Sequence, residues 1–167
     1  MIQVYTGDGK GKTTAALGLA LRASGAGLKV YIGQFIKKGG YCELKALKKL
    51  KNIRAEQFGR GCFIKGLPRR QDIELAQRGL EKLEKIIKSK SYDVVIADEL
   101  NVALKVGLIK LRQVLELLRS AHKKTELIIT GRYAHPEVLK IADLVSEVRQ
   151  IKHYYRKGIK SRIGIEC

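Results

Sequence analysis

The run Thr6-Gly7-Asp8-Gly9-Lys10-Gly11-Lys12-Thr13-Thr14 brings together residue types suited to holding an anion. Glycines let successive backbone N–H groups turn inward around one phosphate. A helix leaving the run would aim its positive dipole end at the same place. Lys12 adds a point charge, and the Thr13 hydroxyl suits Mg²⁺ or Mn²⁺. Strand, glycine-rich loop, Gly-Lys-Thr and helix make a phosphate-binding P-loop for ATP. Gly7, Asp8, Gly9, Lys10, Gly11, Lys12, Thr13 and Thr14 are its binding residues. One position departs from the usual spacing. The first glycine belongs where Thr6 stands, and it comes one residue late, at Gly7. The expectation is a loop of unusual shape and a nucleotide held in an unusual pose.

A second group lies at Val94-Val95-Ile96-Ala97-Asp98-Glu99. Four apolar residues and then acids describe a buried strand with a carboxylate at its tip. Paired with the P-loop, this reads as the metal-directed half of a nucleotide site. Thr13, Asp98 and Glu99 are the metal candidates, and Glu99 could orient an attacking group. Arg132 follows the apolar run Leu127–Thr130, where it could neutralise triphosphate charge. Lys12, Glu99 and Arg132 are the catalytic candidates. His153, in Lys152-His153-Tyr154-Tyr155, is by its chemistry alone more often structural. Cys42, Cys62 and Cys167 show no paired spacing, so neither a metal cluster nor a disulfide framework is expected.

These groups need elements to position them. Ile2–Tyr5 reads as the first strand and Lys12–Ser24 as the first helix, ended by Gly25 and Gly27. Lys29–Ile36 is a second strand, Glu43–Leu50 a short helix, and Ile53–Phe58 a third strand. Gly59 to Gln71 is a long basic loop, expected to act as a lid or binding loop. Asp72–Lys88 is a helix with Ile73, Ala76, Leu80, Leu83 and Ile87 on one stripe. Asp93–Ala97 is a strand, Leu111–Ala121 a helix and Leu127–Thr130 a strand. A short helix opens at His135-Pro136, and Leu144–Gln150 is a late strand. Alternating helices and apolar strands predict an α/β fold of the P-loop NTPase, RecA-like kind. Its mostly parallel sheet has helices on both faces, in one domain spanning 1–167. Ligands in such folds sit at the carboxyl ends of strands, where all three motifs fall.

The formal net charge of the 167 residues is +18. Such charge attracts polyanions: nucleotides, nucleic acid or an acidic protein. A solvated lysine surface is the plainer alternative. Few aromatics interleave with the charge, which argues against stacking on single-stranded nucleic acid. No apolar run approaches the roughly 18–20 residues that span a bilayer. No basic-then-apolar leader is visible, so the expected location is the cytoplasm.

The chain resembles the CobA/BtuR-type ATP:corrinoid adenosyltransferases over nearly its whole length. The likeness starts with Tyr5 to Ala16, including the late glycine. It continues through Gln34-Phe35-Ile36-Lys37, Asp98-Glu99, Thr130-Gly131-Arg132, Ala142 to Glu147, Lys152-His153, Gly158 and Gly164-Ile165-Glu166. The resemblance implies transfer of the 5′-deoxyadenosyl group of ATP to the cobalt of a reduced corrinoid such as cobalamin, releasing triphosphate. It implies Phe63, Lys152 and His153 as further binding positions, and a homodimer. Relatives carry a Gly-Phe-x-Trp type segment that touches the corrinoid. The corresponding stretch here is Gly61-Cys62-Phe63-Ile64, and the chain has no tryptophan. A basic face would suit an acidic, flavodoxin-like electron donor. Two other readings compete: a RecA-like ATPase acting on nucleic acid, and a small-molecule kinase. Their products distinguish them, since adenosyl transfer alone releases triphosphate.

Overall fold

Six parallel strands form one sheet in the order β3-β2-β4-β5-β1-β6. The structure, a computed structural model, describes residues 1–61 and 66–166. Phe63 therefore lies outside the described residues, as does most of the Gly61-Cys62-Phe63-Ile64 stretch.

The strands are β1 (Ile2–Thr6), β2 (Val30–Ile36), β3 (Ile53–Gly59), β4 (Val94–Asp98), β5 (Glu126–Thr130) and β6 (Leu144–Glu147). The helices are α1 (Lys12–Gly25), α2 (Cys42–Leu47), α3 (Arg70–Ser89), α4 (Leu100–Lys105), α5 (Leu111–Ser120) and α6 (Pro136–Ile141). A 3-10 turn covers Tyr154–Lys157.

Strand alternation splits the core in two. Ile2, Val4, Tyr31, Phe35, Val95, Ala97, Leu127 and Ile129 face one side, packed with α3, α4, α5 and α6. Val30, Ile32, Val94, Ile96 and Ile128 face the other, covered by the small residues Ala16, Ala20 and Ala23 of α1. Side chains two apart share a face, so a strand covered on both faces must be apolar at every position. That is why β2 and β4 read as largely apolar runs, broken only by Gln34 and Asp98 near their carboxyl ends, and both are buried throughout.

The long helix α3 buries Ala76, Gly79, Leu80, Leu83 and Ile87. Ile73 was expected on this stripe but is 38% exposed, because the buried face begins one turn later. A Cβ on Gly79 would lie 2.7 Å from the Phe58 ring, so this glycine sets how closely α3 meets β3. Helix α4 has no counterpart in the sequence reading. Its Leu100 and Ala103 are buried, but six residues are too few for a visible period. Strand β6 ends at Glu147, three residues before Gln150. Beyond Glu147 one bond to β1 remains, from the Val148 amide to the Thr6 carbonyl, and the Val148 carbonyl turns to the loop and accepts the Gly9 amide.

Candidate functional site

The carboxyl ends of β1, β4 and β5 meet at one edge, with β5 standing between the other two. From β1 the chain enters the glycine run and then α1. The first amides of α1 have no carbonyl four residues earlier to bond, so they remain as donors around the loop. Lys12 opens the helix and is 7% exposed. Its ammonium donates to the Gly9 carbonyl at 2.6 Å. Burial pulls the Lys12 pKa down, with Arg132 pulling the same way and Glu99, Asp8 and Asp98 opposing.

The late glycine answers to a distant segment of the chain. Gly7 has φ +96°, and a Cβ there would lie 2.5 Å from the Val148 carbonyl oxygen. A Cβ on Gly9 would lie 2.7 Å from that same oxygen, which accepts the Gly9 amide at 2.7 Å. The segment after β6 lies directly against the loop, and only glycines admit it. One amide that could have faced a phosphate is held by Val148 instead.

Asp98, at the tip of β4, is 1% exposed and accepts four hydrogen bonds. Thr13 Oγ1 donates to its Oδ1 at 2.8 Å, and Thr130 Oγ1 to the same oxygen at 2.6 Å. Gln34 Nε2 donates to Oδ2 at 3.2 Å. The fourth donor is Lys37, whose Nζ lies 2.7 Å from Oδ2 and 3.3 Å from Thr13 Oγ1. Four donors satisfy the oxygens of a side chain that burial has removed from water. Thr130 ties the set together, because its hydroxyl also accepts the Glu99 amide at 3.0 Å.

Lys37 reaches this place through a sharp turn. Ile36 has φ +67°, rare for a β-branched residue, and the Lys37 amide donates to the Phe35 carbonyl at 2.6 Å. Such backbone costs about 1–3 kcal/mol and persists only where its surroundings hold it. Gly59 makes room for it. It pairs with Ile36, and a Cβ there would lie 1.9 Å from the Ile36 carbonyl oxygen.

Glu99 follows Asp98 in a left-handed conformation, φ +61°, at the cap of α4. Burial raises its pKa, the Asp98 carboxylate adds to that, and Lys37, Lys12 and Arg132 oppose it. The side chain therefore sits among the groups of the phosphate loop. Gly131, φ +125°, leaves it room: a Cβ there would stand 3.3 Å from Glu99 Oε2. Arg132 is exposed at the mouth, near enough to act on both Lys12 and Glu99.

Thr13, Asp98 and Glu99 offer hard oxygen donors on one side of the loop. Among the described residues no three acidic, histidine or cysteine side chains form a metal cage. This donor set fits Mg²⁺ or Mn²⁺, which takes one or two carboxylates and completes its shell with phosphate oxygens and water. A cavity of about 630 Å³ opens beside the loop. Asp8, Arg132, Tyr133, Glu147, Arg149 and Arg156 line it. Its volume falls within the roughly 300–1,000 Å³ usual for small-molecule sites.

The structure thus gathers Lys12, Thr13, Asp98, Glu99 and Arg132. Gly7, Asp8, Gly9, Lys10 and Gly11 form the loop around them, and Thr14 lies exposed in the first turn of α1. Lys10 is turned to the C-terminal segment, donating to Tyr154 Oη at 2.8 Å and to Glu166 Oε1 at 2.9 Å. Lys152 is exposed. His153 caps the 3-10 turn, its Nδ1 accepting the Tyr155 amide at 3.1 Å, with its ring 4.8 Å from that of Tyr154. Sequence reasoning put Thr130 at the sheet edge and Gln34 and Lys37 in a motif of the resemblance, but gave none of the three a role in the site. All three lie at or near strand carboxyl ends, and that position was the available signal.

Comparison with known proteins covers the whole chain. The family model described as ATP:corrinoid adenosyltransferase BtuR/CobO/CobP matches residues 1–167. A protein of Escherichia coli (strain K12) named corrinoid adenosyltransferase is 34% identical over 166 residues, 99% of this chain and 85% of that one. One of the same name from Pseudomonas aeruginosa is 32% identical over 168 residues, covering 99% and 83%. The Salmonella typhimurium (strain LT2) protein named corrinoid adenosyltransferase CobA is 32% identical over 166 residues, covering 99% and 85%.

Proposed function

The chain belongs to the ATP:corrinoid adenosyltransferase family, and from that premise we propose how its own residues carry out adenosylation of a corrinoid by ATP. The observation that carries the reading is the cluster at the sheet edge. Lys12 stands within the glycine loop, and Thr13 is bonded to the buried Asp98 at 2.8 Å beside Glu99.

The cobalt of the reduced corrinoid, as Co(I), is the nucleophile. Its electron pair forms the bond to C5′ of ATP, and the C5′–O bond breaks. The bonding pair leaves on the triphosphate, and cobalt becomes formally Co(III). No proton is moved in this step, so no general base is required of the chain. What is required is position, and stabilisation of charge on the departing triphosphate. The amides at the start of α1 and the Lys12 ammonium meet that charge from one side. Arg132 meets it from the cavity mouth. Asp98 and Glu99, with the Thr13 hydroxyl, would hold Mg²⁺ or Mn²⁺, which when bound neutralises phosphate charge. The cavity beside Asp8 and Arg132 would take the nucleoside and leave C5′ open to the corrinoid. The Gly9 amide, engaged by Val148, belongs with this arrangement, since the loop then cradles the phosphates with fewer donors than an ordinary P-loop.

Phe63, Lys152 and His153 remain corrinoid-side or nucleotide-side positions in this proposal. A homodimer in the cytoplasm, served by an acidic flavodoxin-like reductant, completes it. The test is a visible spectrum of protein mixed with ATP, Mg²⁺ and chemically reduced cobalamin. Conversion to the carbon–cobalt bonded form, with intact triphosphate released, is the expected result. Release of ADP or inorganic phosphate as the primary product would overturn it in favour of a kinase or an ATPase.

A further inference from the structure

The Gln34-Phe35-Ile36-Lys37 stretch delivers a cation where the proposed metal should go. The Lys37 Nζ touches Asp98 Oδ2 at 2.7 Å and Thr13 Oγ1 at 3.3 Å, the two side chains that would ligate a divalent ion. An ion bonded to both at about 2.0–2.1 Å would share that gap. The contact is built into the fold. Lys37 is largely buried, with 14% of its side chain exposed, and the left-handed turn at Ile36 aims it inward. Gly59 leaves the space in which that turn fits. Tyr41 supports the ammonium from the other side, its ring centroid 5.6 Å from Nζ.

We propose that Lys37 is the resident counter-ion of the metal site, holding Asp98 and Thr13 in place without metal and withdrawing from Asp98 when a divalent ion enters. The physical reason is charge. Asp98 is buried with Glu99 beside it, and a buried carboxylate without a cation is costly. A divalent ion and an ammonium held against the same buried carboxylate repel each other strongly, so one displaces the other. Lys37 then lies next to the phosphates that arrive with the metal, and its charge is retained within the site. Metal binding is thereby an exchange of cations and is weak until nucleotide is present.

This rests on the proposal that the metal binds Thr13 and Asp98. The test reads Mn²⁺ binding to nucleotide-free protein by electron paramagnetic resonance. Four proteins are compared: wild type, Lys37→Met, Lys37→Arg and Asp98→Asn. Lys37→Met keeps the stem and removes the charge. It should bind Mn²⁺ at least about tenfold more tightly than wild type (~1.4 kcal/mol), with Lys37→Arg close to wild type. Equal or weaker binding by Lys37→Met would overturn the exchange. Asp98→Asn separates the two proposals: if it binds Mn²⁺ with ATP as well as wild type does, the metal site itself is misplaced. A measurement on wild type alone covers the case in which Lys37→Met does not fold. The Lys37 amine should react with an acylating reagent several-fold faster in saturating Mg²⁺ than in chelator, read by mass spectrometry. An unchanged rate would overturn the proposal.

Discussion

At the scale of single residues, the site is a buried carboxylate and the groups that make its charge tolerable. Lys12 contributes an ammonium aimed at the phosphate loop. Lys12→Ala should lower kcat/KM for adenosylcobalamin formation by about 100-fold or more, the usual effect of removing a group that meets developing charge. The same spectral assay reads it, and full activity would exclude Lys12 from the step. Thr130 makes a different contribution. Its hydroxyl bridges Asp98 and the Glu99 amide. Thr130→Val has nearly the same shape but leaves both groups short of a partner. It should destabilise the protein by about 1–3 kcal/mol in urea unfolding, whereas a surface threonine would cost almost nothing.

At the scale of elements, the loop and the segment after β6 form one unit. Gly7→Ala would press a methyl group onto the Val148 carbonyl at a backbone angle unfavourable for alanine. The expected outcome is weaker ATP binding by calorimetry and a melting temperature lowered by several degrees. This unit also shows what the sequence made legible. The spacing of Gly9, Gly11, Lys12 and Thr13 identified the loop, because its chemistry is local. The late Gly7 was visible as an anomaly. Its cause was not, since Val148 lies far along the chain and nothing in the neighbourhood of Gly7 names its contact. The apolar runs of β2 and β4 announced a sheet covered on both sides, and the structure has one. Helix α4 was too short to show a period. Lys37 was visible as the end of the Gln34-Phe35-Ile36-Lys37 motif, but the motif names no contact, and the turn at Ile36 reveals its target.

At the scale of the whole molecule, the C-terminal segment closes back onto the loop. Glu166 accepts from Lys10 at 2.9 Å, from the Arg162 amide at 2.7 Å and from the Tyr154 hydroxyl. The Arg162 side chain donates as well, at 3.1 Å, and with it foremost these donors hold the carboxyl well below the usual carboxylate range. A lowered folded pKa means that the ionised form is favoured by the fold. The contribution is present above the unfolded value of 4.5 and is lost as pH falls through the lower, folded value. Amide protection of residues 154–166 in hydrogen exchange should therefore persist from pH 8 to pH 5 and fade only at stronger acidity. Glu166→Gln should show reduced protection at every pH. The net charge of +18 belongs to this scale as well. If an acidic flavodoxin-like protein supplies the electrons, corrinoid reduction should slow severalfold between about 50 and 300 mM salt, as long-range attraction is screened. A rate independent of salt would remove that partner.

The place of β1 in the sheet has a consequence for biosynthesis. It lies between β5 and β6, with Ile2 paired to Leu127 and Gln3 to Leu144. The phosphate loop leaves the ribosome well before β5 and β6, the two strands that flank β1. Contacts so distant along the chain form slowly. A nascent chain released before β6 should be unable to retain ATP, even though every residue of its nucleotide signature has already been translated.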